Sequence, residues 1–220
     1  MRTPLKQPAA MFEPDPRSVS LARLDAAGTH PNTLSDHHRD IAGVQMTAAV
    51  PEAIREEFET VRNLYLYSWH VYEFTVPAVL YALALVEKAI KEKCRRSGVQ
   101  RPKHEGLKGL LKLSIREGWL ANDDFPFALG FAREEILPAA APKSTPTIRS
   151  VRRYAPTGTG FCELLAENLP ELRNSAAHGD AGLGFPATAL RIVEVCACVA
   201  NGLFRDSLHP NARESDQPTA

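Results

Sequence analysis

Arg173, Asn174 and His178 are the residues whose types and spacing could act together on a phosphate ester. Asn174 and His178 are four positions apart, so a helix would make their side chains neighbours and the amide could orient the imidazole. Arg173 and His178 are five positions apart, about 140° around an ideal helix, so a phosphate between them is feasible but not forced. A neutral imidazole transfers protons and a guanidinium stabilises phosphoryl charge, which together can catalyse phosphoryl transfer.

The same residues also fit a structural role. An arginine near a helix C-terminus interacts favourably with the helix dipole, and His178 can cap the last carbonyl groups. Glu87 is a supporting candidate, because a carboxylate on an otherwise apolar helix is costly unless it is paired. It could support Arg173 or another arginine, and a surface pair with Lys91, one helical turn away, is the competing interpretation.

Hydrophobic periodicity predicts the helices that must position these residues. After Pro51, one helical face is defined by Ile54, Phe58, Val61 and Tyr65. The most apolar segment, 67–96, follows, and we expect Pro77 to kink or restart it. Gly98 comes after a basic last turn, which is typical of a helix C-terminus.

Three further helices are expected along the rest of the chain. The first covers 107–115 and ends at Gly118. The second covers 161–178, where Pro170 could interrupt it, and the third covers 186–208. The stripe Leu165, Leu169, Leu172 and Ala176 is expected to face the core, which leaves Arg173, Asn174 and His178 on other faces.

No segment alternates polar and apolar residues as a half-buried strand does, so the predicted fold is an all-α, up-and-down helical bundle. We assign the bundle to residues 49–209. Residues 1–48 are punctuated by prolines and are predicted to form a poorly structured or extended N-terminal arm. Residues 210–220 are predicted to be a polar tail, and 138–160 a long basic loop.

The formal net charge is zero, with 26 basic and 26 acidic residues, but the charge is unevenly distributed. Segment 88–116 holds ten basic and two acidic residues, an excess of eight, and loop 138–160 adds four basic residues and no acidic one. If the two regions meet, they form an anion-attracting surface; solvated helix ends and loops are the equally weighted alternative. The predicted contacts to nucleic-acid phosphates are Lys91, Arg95, Arg96, Arg101, Lys103, Lys108, Arg149, Arg152 and Arg153.

Several classes of protein and site are disfavoured. The longest charge-free stretch of the central apolar region, 74–86, is shorter than the roughly 20 residues of a membrane span, and no signal peptide is apparent. The four cysteines lack paired zinc-site spacing and are expected to be small buried side chains in a cytoplasmic protein. The neighbouring His37 and His38 are expected to be solvated. We therefore predict no bound metal or other cofactor.

The run 172–179, which closes a late helix, resembles the signature of the HEPN superfamily, in which an arginine, a polar residue, a few more residues and a histidine recur. Arg173, Asn174 and His178 match that pattern. The apolar helix with Trp69, Tyr72, Glu87 and Lys88, and the short helix after it, look like the preceding helices of bacterial HEPN proteins. The similarity covers about residues 51–208 and leaves the arm and the basic loop unexplained.

The resemblance implies a helical bundle that commonly dimerises and often acts as a metal-independent ribonuclease leaving a 2′,3′-cyclic phosphate. A homodimer would place two copies of Arg173 and His178 in one cleft and so supply both a base and an acid. It further implies a toxin or defence component, whose partner could be a cognate antitoxin or a nucleotidyltransferase-like protein. The alternatives are a non-catalytic module that binds RNA, a nucleotide or a partner protein, and a structural protein whose apolar helices mediate oligomerisation.

Overall fold

A computed structural model of the chain describes residues 4–25, 28–101, 106–125, 160–178 and 185–205. Within these ranges the fold is mostly helical, which confirms the all-α class. The helices are α1 (Pro16–Val19), α2 (Leu34–Ala42), α3 (Glu52–Tyr67), α4 (Thr75–Ser97), α5 (Gly106–Arg116), α6 (Phe161–His178) and α7 (Pro186–Phe204). Short 3-10 turns cover Pro8–Ala10, Tyr72–Phe74 and Asn122–Asp124. The expected tail 210–220, loop residues 138–159, and Lys103 with its neighbours lie outside the described residues.

Helix α4 is the centre of the fold, packing most extensively against α7 and α3. Its buried residues cover most of its circumference and include both small and large side chains. They include Ala78, Val79, Ala82, Leu83, Leu85, Val86, Ala89 and Ile90. Small side chains let neighbouring helices approach closely, and the large ones fill the space between them. Pro77 lies in the first turn, where a proline is tolerated, so the apolar segment restarts there as expected.

The apolar faces of α3 and α7 are buried. On α3, the four residues of the predicted stripe, Ile54 to Tyr65, are each at most 2% exposed. On α7, Val193, Ala197 and Phe204 are buried in the same core. Helix α4 ends at Gly98, whose φ of 66° is the left-handed conformation that glycine adopts at low cost.

Helices α5 and α6 pack against each other and also contact α4. Helix α6 runs without a break from Phe161 to His178, so the expected interruption at Pro170 does not occur. Pro170 has no N–H to donate to the carbonyl of Ala166, but the flanking burial of Leu165 and Leu169 holds the helix together. The continuous helix fixes Arg173 relative to α4.

The N-terminal segment is more ordered than predicted. Strands β1 (Ala22–Asp25) and β2 (Gly28–Pro31) form an antiparallel hairpin, and α2 starts with a capping box between Thr33 and Asp36. The prediction of a poorly structured or extended arm is therefore wrong for these residues. The proline-rich sequence obscured these elements, although the hairpin pairing and the capping box are local contacts.

His37 shows how the segment is attached. Its side chain is buried, its ring stacks on that of Tyr65 with centroids 4.5 Å apart, and its Nε2 lies 2.9 Å from the Tyr65 carbonyl oxygen. The expectation of a solvated His37–His38 cluster is wrong for His37, whereas His38 is exposed. Burial lowers the pKa of His37 below its ordinary value, although the Tyr65 carbonyl acts in the opposite direction.

Within the described part of the chain, α7 is the one helix long and apolar enough to cross a membrane by length and composition. Of the most apolar 18-residue stretch of this helix, 61% is buried inside the structure. Helices at the centre of a protein core have the same composition, and the packing of α7 on α4 accounts for it here.

Candidate active site and adjoining basic cleft

The last turns of α6 place the predicted catalytic residues on the protein surface. Of the predicted stripe, Leu165, Leu169 and Ala176 are buried and Leu172 is half-buried, so the apolar stripe orients the helix. Arg173, Asn174 and His178 are consequently all exposed. This exposure is what a site acting on a polymer substrate requires, and it leaves the side chains accessible to a phosphate.

Glu87 on α4 connects this helix end to the core helix. Its carboxylate Oε1 lies 3.1 Å from Arg173 Nε, and its Oε2 lies 3.5 Å from Lys91 Nζ. The Glu87 side chain is only 15% exposed, whereas the side chains of Arg173 and Lys91 are each 46% exposed. The structure therefore contains both contacts that the sequence offers as alternatives for Glu87, the one with Arg173 and the one with Lys91.

Arg173 keeps most of its hydrogen-bonding capacity. The Nε contact is an ion pair outside hydrogen-bonding geometry, and the terminal guanidinium nitrogens donate no hydrogen bond to the residues that the structure describes. A guanidinium can bind phosphate through two parallel N–H groups. Glu87 therefore holds one edge of Arg173 while the other edge remains available to a ligand.

A small cavity of about 300 Å³ lies beside Arg173, between α5 and α6. Polar and charged side chains dominate its lining: Lys108, Glu167, Glu171, Arg173 and Asn174, with Gly106, Leu107 and Pro170. Its volume is at the lower end of the range for small-ligand pockets. Lys108 is thus adjacent to the predicted catalytic residues, as an RNA-contacting residue should be.

His178 is the last residue of α6, one turn beyond Asn174. No hydrogen bond joins Asn174 to His178, so the predicted orientation of the imidazole by the amide is not formed in this structure. On an ideal helix the five-residue separation from Arg173 corresponds to about 7.5 Å along the axis and about 140° around it. Arg173 and His178 in one chain therefore share a helix end without converging on one point.

Basic residues of α4 and α5 share carboxylates in a repeated arrangement of two cations to one anion. Glu92 accepts hydrogen bonds from Arg95 and Arg96, and Glu167 pairs with both Lys108 and Lys112. The pKa of Glu92 falls to about 2 because the two arginines stabilise its carboxylate. The pKa of Glu167 is also lowered, by Lys108 first and then Lys112. Each such group carries one net positive charge.

These pairs reduce the charge excess deduced from the sequence. Four carboxylates from outside segment 88–116 pair with its basic residues: Glu57, Glu87, Glu117 and Glu167. They lower the excess of eight to four. Arg101 has neither a hydrogen bond nor an ion pair with any residue that the structure describes, so its charge is not neutralised by a partner there.

A cleft of about 910 Å³ lies between the first turn of α3 and the C-terminal half of α4. Five cations and two carboxylates line it, together with short apolar side chains: Lys88, Lys91, Arg95, Arg96, Arg101, Glu52 and Glu92 are the charged members. Four of the predicted RNA contacts, Lys91, Arg95, Arg96 and Arg101, are therefore brought together. Lys88 was not predicted, although its position in the basic run was a sufficient signal.

The remaining predicted RNA contacts cannot be placed. Lys103, Arg149, Arg152 and Arg153 lie outside the described residues, so whether the basic loop joins the cleft remains a prediction. Glu167 was missed as a neighbour of Lys108 because 59 residues separate them in the chain.

The cysteines supply no reactive thiol to either site, although Cys94 is among the residues that line the cleft. Burial raises the pKa of Cys162 and Cys198 to about 11, and it also raises that of Cys196. Such thiols are protonated at neutral pH and are poor nucleophiles. All four cysteines are free; the expectation of small buried side chains is confirmed for three of them, whereas Cys198 is only half-buried.

Comparisons of the chain with protein-family models, curated proteins and solved structures found no match.

Proposed function

We propose that this protein is a HEPN-like, metal-independent endoribonuclease in which Arg173 and His178 act on the scissile phosphate. The observation that carries the proposal is the contact between Arg173 Nε and Glu87, since it positions an exposed guanidinium and leaves its terminal nitrogens available. His178 is on the same helix end and is also exposed. The proposal also uses the similarity of this run to the HEPN signature.

The proposed reaction is an in-line transesterification. A neutral imidazole removes the proton of the ribose 2′-hydroxyl, and the 2′-oxygen attacks phosphorus as the bond to the 5′-oxygen breaks. Arg173 stabilises the charge on the phosphoryl oxygens through its terminal nitrogens. A second acid protonates the departing 5′-oxygen. The products are a 2′,3′-cyclic phosphate and a 5′-hydroxyl.

A homodimer would supply both proton-transfer groups. One imidazole cannot be base and acid in the same step, and in one chain His178 lies on a different side of the helix from Arg173. Two chains that bring their α6 ends together would place each His178 near the partner's copy of Arg173. A heterodimer of one wild-type chain and one His178→Ala chain should then be nearly inactive, because it keeps only one of the two imidazoles.

The direct test is the substitution His178→Ala, compared with His38→Ala as a matched control at another exposed histidine. Loss of a general acid or base costs about 10²–10⁴ in rate, so the His178→Ala enzyme should be nearly inactive. Because the side chain is exposed, the melting temperature should change by no more than about 2 °C. Cleavage by His178→Ala at the wild-type rate, or a cleavage product without the cyclic phosphate, would refute the proposal.

The second candidate is a non-catalytic module that binds RNA, a nucleotide or a partner protein. The observation that favours it is the 910 Å³ cleft, which contains four predicted phosphate contacts and excludes Arg173 from its lining. Salt-sensitive RNA binding with no cleavage under any condition would favour this candidate. The first proposal also includes a role as a toxin or defence component and a cytoplasmic location. It includes a partner as well, either an antitoxin or a nucleotidyltransferase-like protein, which co-purification from the native host tests.

A further inference from the structure

We infer that the cleft between α3 and α4 holds the sugar–phosphate backbone of a single polynucleotide strand. This deepens the proposed function by assigning the strand a path, and it rests on that function only for the direction of the strand towards Arg173. The binding itself is independent of cleavage, so the two can fail separately.

The arrangement of the cations suits a chain of phosphates better than one compact anion. Lys88, Lys91 and Arg95 lie at spacings of three and four on α4, within about 60° of one face. The helix rise separates them by about 4.5 Å and about 6 Å along the axis. Arg101 extends this row beyond the end of the helix. A site for a single phosphate would instead have its cations converge on one point.

The lining determines what part of the strand is recognised. None of the thirteen described residues that line the cleft is aromatic, so these residues offer no ring on which a base could stack. Phosphate contacts position a nucleic acid without reading its sequence. The cleft should therefore bind RNA and single-stranded DNA with similar affinity and with little base preference, whereas cleavage needs the ribose 2′-hydroxyl.

The charge groups connect the cleft to the proposed active site. Lys91 lines the cleft and contacts Glu87, which in turn contacts Arg173. A strand held along α4 would thus approach the guanidinium of Arg173 next to Lys91. Glu52 and Glu92 also face the cleft and oppose anion binding, which keeps the expected affinity moderate. Nonspecific binding of this kind has a Kd of about 10⁻⁴–10⁻⁶ M at physiological salt.

The test uses a fluorescent oligothymidylate of about twelve nucleotides, a length within the range of single-strand binding sites. As DNA it cannot be cleaved through a 2′-hydroxyl, so fluorescence anisotropy reports binding alone. The test variant is Arg95→Gln/Arg101→Gln, in which both side chains are exposed and Glu92 keeps its bond to Arg96. The control is Arg39→Gln/Arg116→Gln, which removes two exposed arginines outside the cleft.

The expected effect follows from counterion release. Four phosphate contacts on a single strand give a slope of log K against log salt of about −3, and removing two lowers the magnitude to about 1.4. At about 0.1 M salt the test variant should bind about 25-fold more weakly than the wild type, and the difference should vanish near 1 M. The control should retain most of the wild-type affinity.

Equal binding by the test and control variants would overturn the inference, as would a wild-type protein that fails to bind the oligothymidylate at low salt. So would a trinucleotide that competes as well as the longer oligonucleotide, because that result indicates a compact anion site. If the protein also cleaves RNA, the test variant should raise KM and leave kcat unchanged. Binding without cleavage would retain the cleft and refute only the ribonuclease.

Discussion

Replacing Glu87 with glutamine should separate the positioning of Arg173 from its charge. The substitution preserves the shape of the side chain but removes the charge that attracts Arg173 and Lys91. Two unit charges 3.1 Å apart attract by about 1.3 kcal/mol at the dielectric constant of water and by about 5 kcal/mol at an effective value of 20. Because each cation is nearly half exposed, the lower figure applies, and measured pairs of this kind contribute about 1 kcal/mol or less.

The expected loss of stability is therefore about 1 kcal/mol, which lowers the melting temperature of a chain of this size by about 3 °C. The functional loss should be larger. Misplacement of a catalytic group by about 1 Å can reduce the rate about 100-fold. We expect kcat for RNA cleavage to fall about 10- to 100-fold, while KM stays the same or decreases, because Arg173 is no longer neutralised.

Glu57→Gln is the matched control. Like Glu87, Glu57 joins two helices through an ion pair, here α3 to α4 through Lys88, but it has no contact with Arg173. Its loss should reduce the melting temperature by a similar or smaller amount and leave kcat unchanged. The assay is steady-state cleavage of a fluorescent RNA, with thermal unfolding measured on the same preparations. Parallel loss of kcat in both variants, or no loss in Glu87→Gln, would refute the positioning role.

Two further predictions concern stability. Burial lowers the pKa of His37, so the unfolded state takes up a proton before the folded state does as the pH falls below about 6.5. The free energy of unfolding should therefore decrease as the pH falls below that value. The His37→Gln variant should lose this dependence when urea unfolding is compared at pH 7 and pH 5. Pro170→Ala should stabilise the chain by about 1–3 kcal/mol because it restores a helical N–H donor, and a melting temperature below that of the wild type would show that Pro170 makes compensating contacts.

The helices and their buried faces could be predicted because their signal is local. A core-facing stripe repeats every three to four residues, and Ile54, Phe58, Val61 and Tyr65 carry that period whatever they pack against. The start of α4 near Pro77 and its end at Gly98 depend equally on residues within one turn. The same local pattern placed Arg173, Asn174 and His178 on the exposed side of α6.

The N-terminal helices begin with local caps at Asp15 and Thr33, but the contacts that attach them to the rest of the fold come from distant residues and could not be predicted. His37 bonds to the carbonyl of Tyr65, 28 residues later, and the amide of Asp15 donates to the carbonyl of Trp69. Neither contact has a sequence signature. The prolines indicated an irregular segment, and they did not reveal that side chains within it would be buried against α3.

The charge distribution illustrates how tertiary pairing changes a sequence count. Segment 88–116 has an excess of eight positive charges, yet four carboxylates from outside it pair with its basic residues and halve that excess: Glu57 and Glu167 on other helices, and Glu87 and Glu117 at its two ends. In the groups centred on Glu87, Glu92 and Glu167, one carboxylate restrains two cations and neutralises only one of them. A restrained cation loses less side-chain entropy on binding a phosphate than a free one does. The pairing thus lowers the total positive charge, but the cations that remain unneutralised are restrained and can contact a polyanion at a lower cost in entropy.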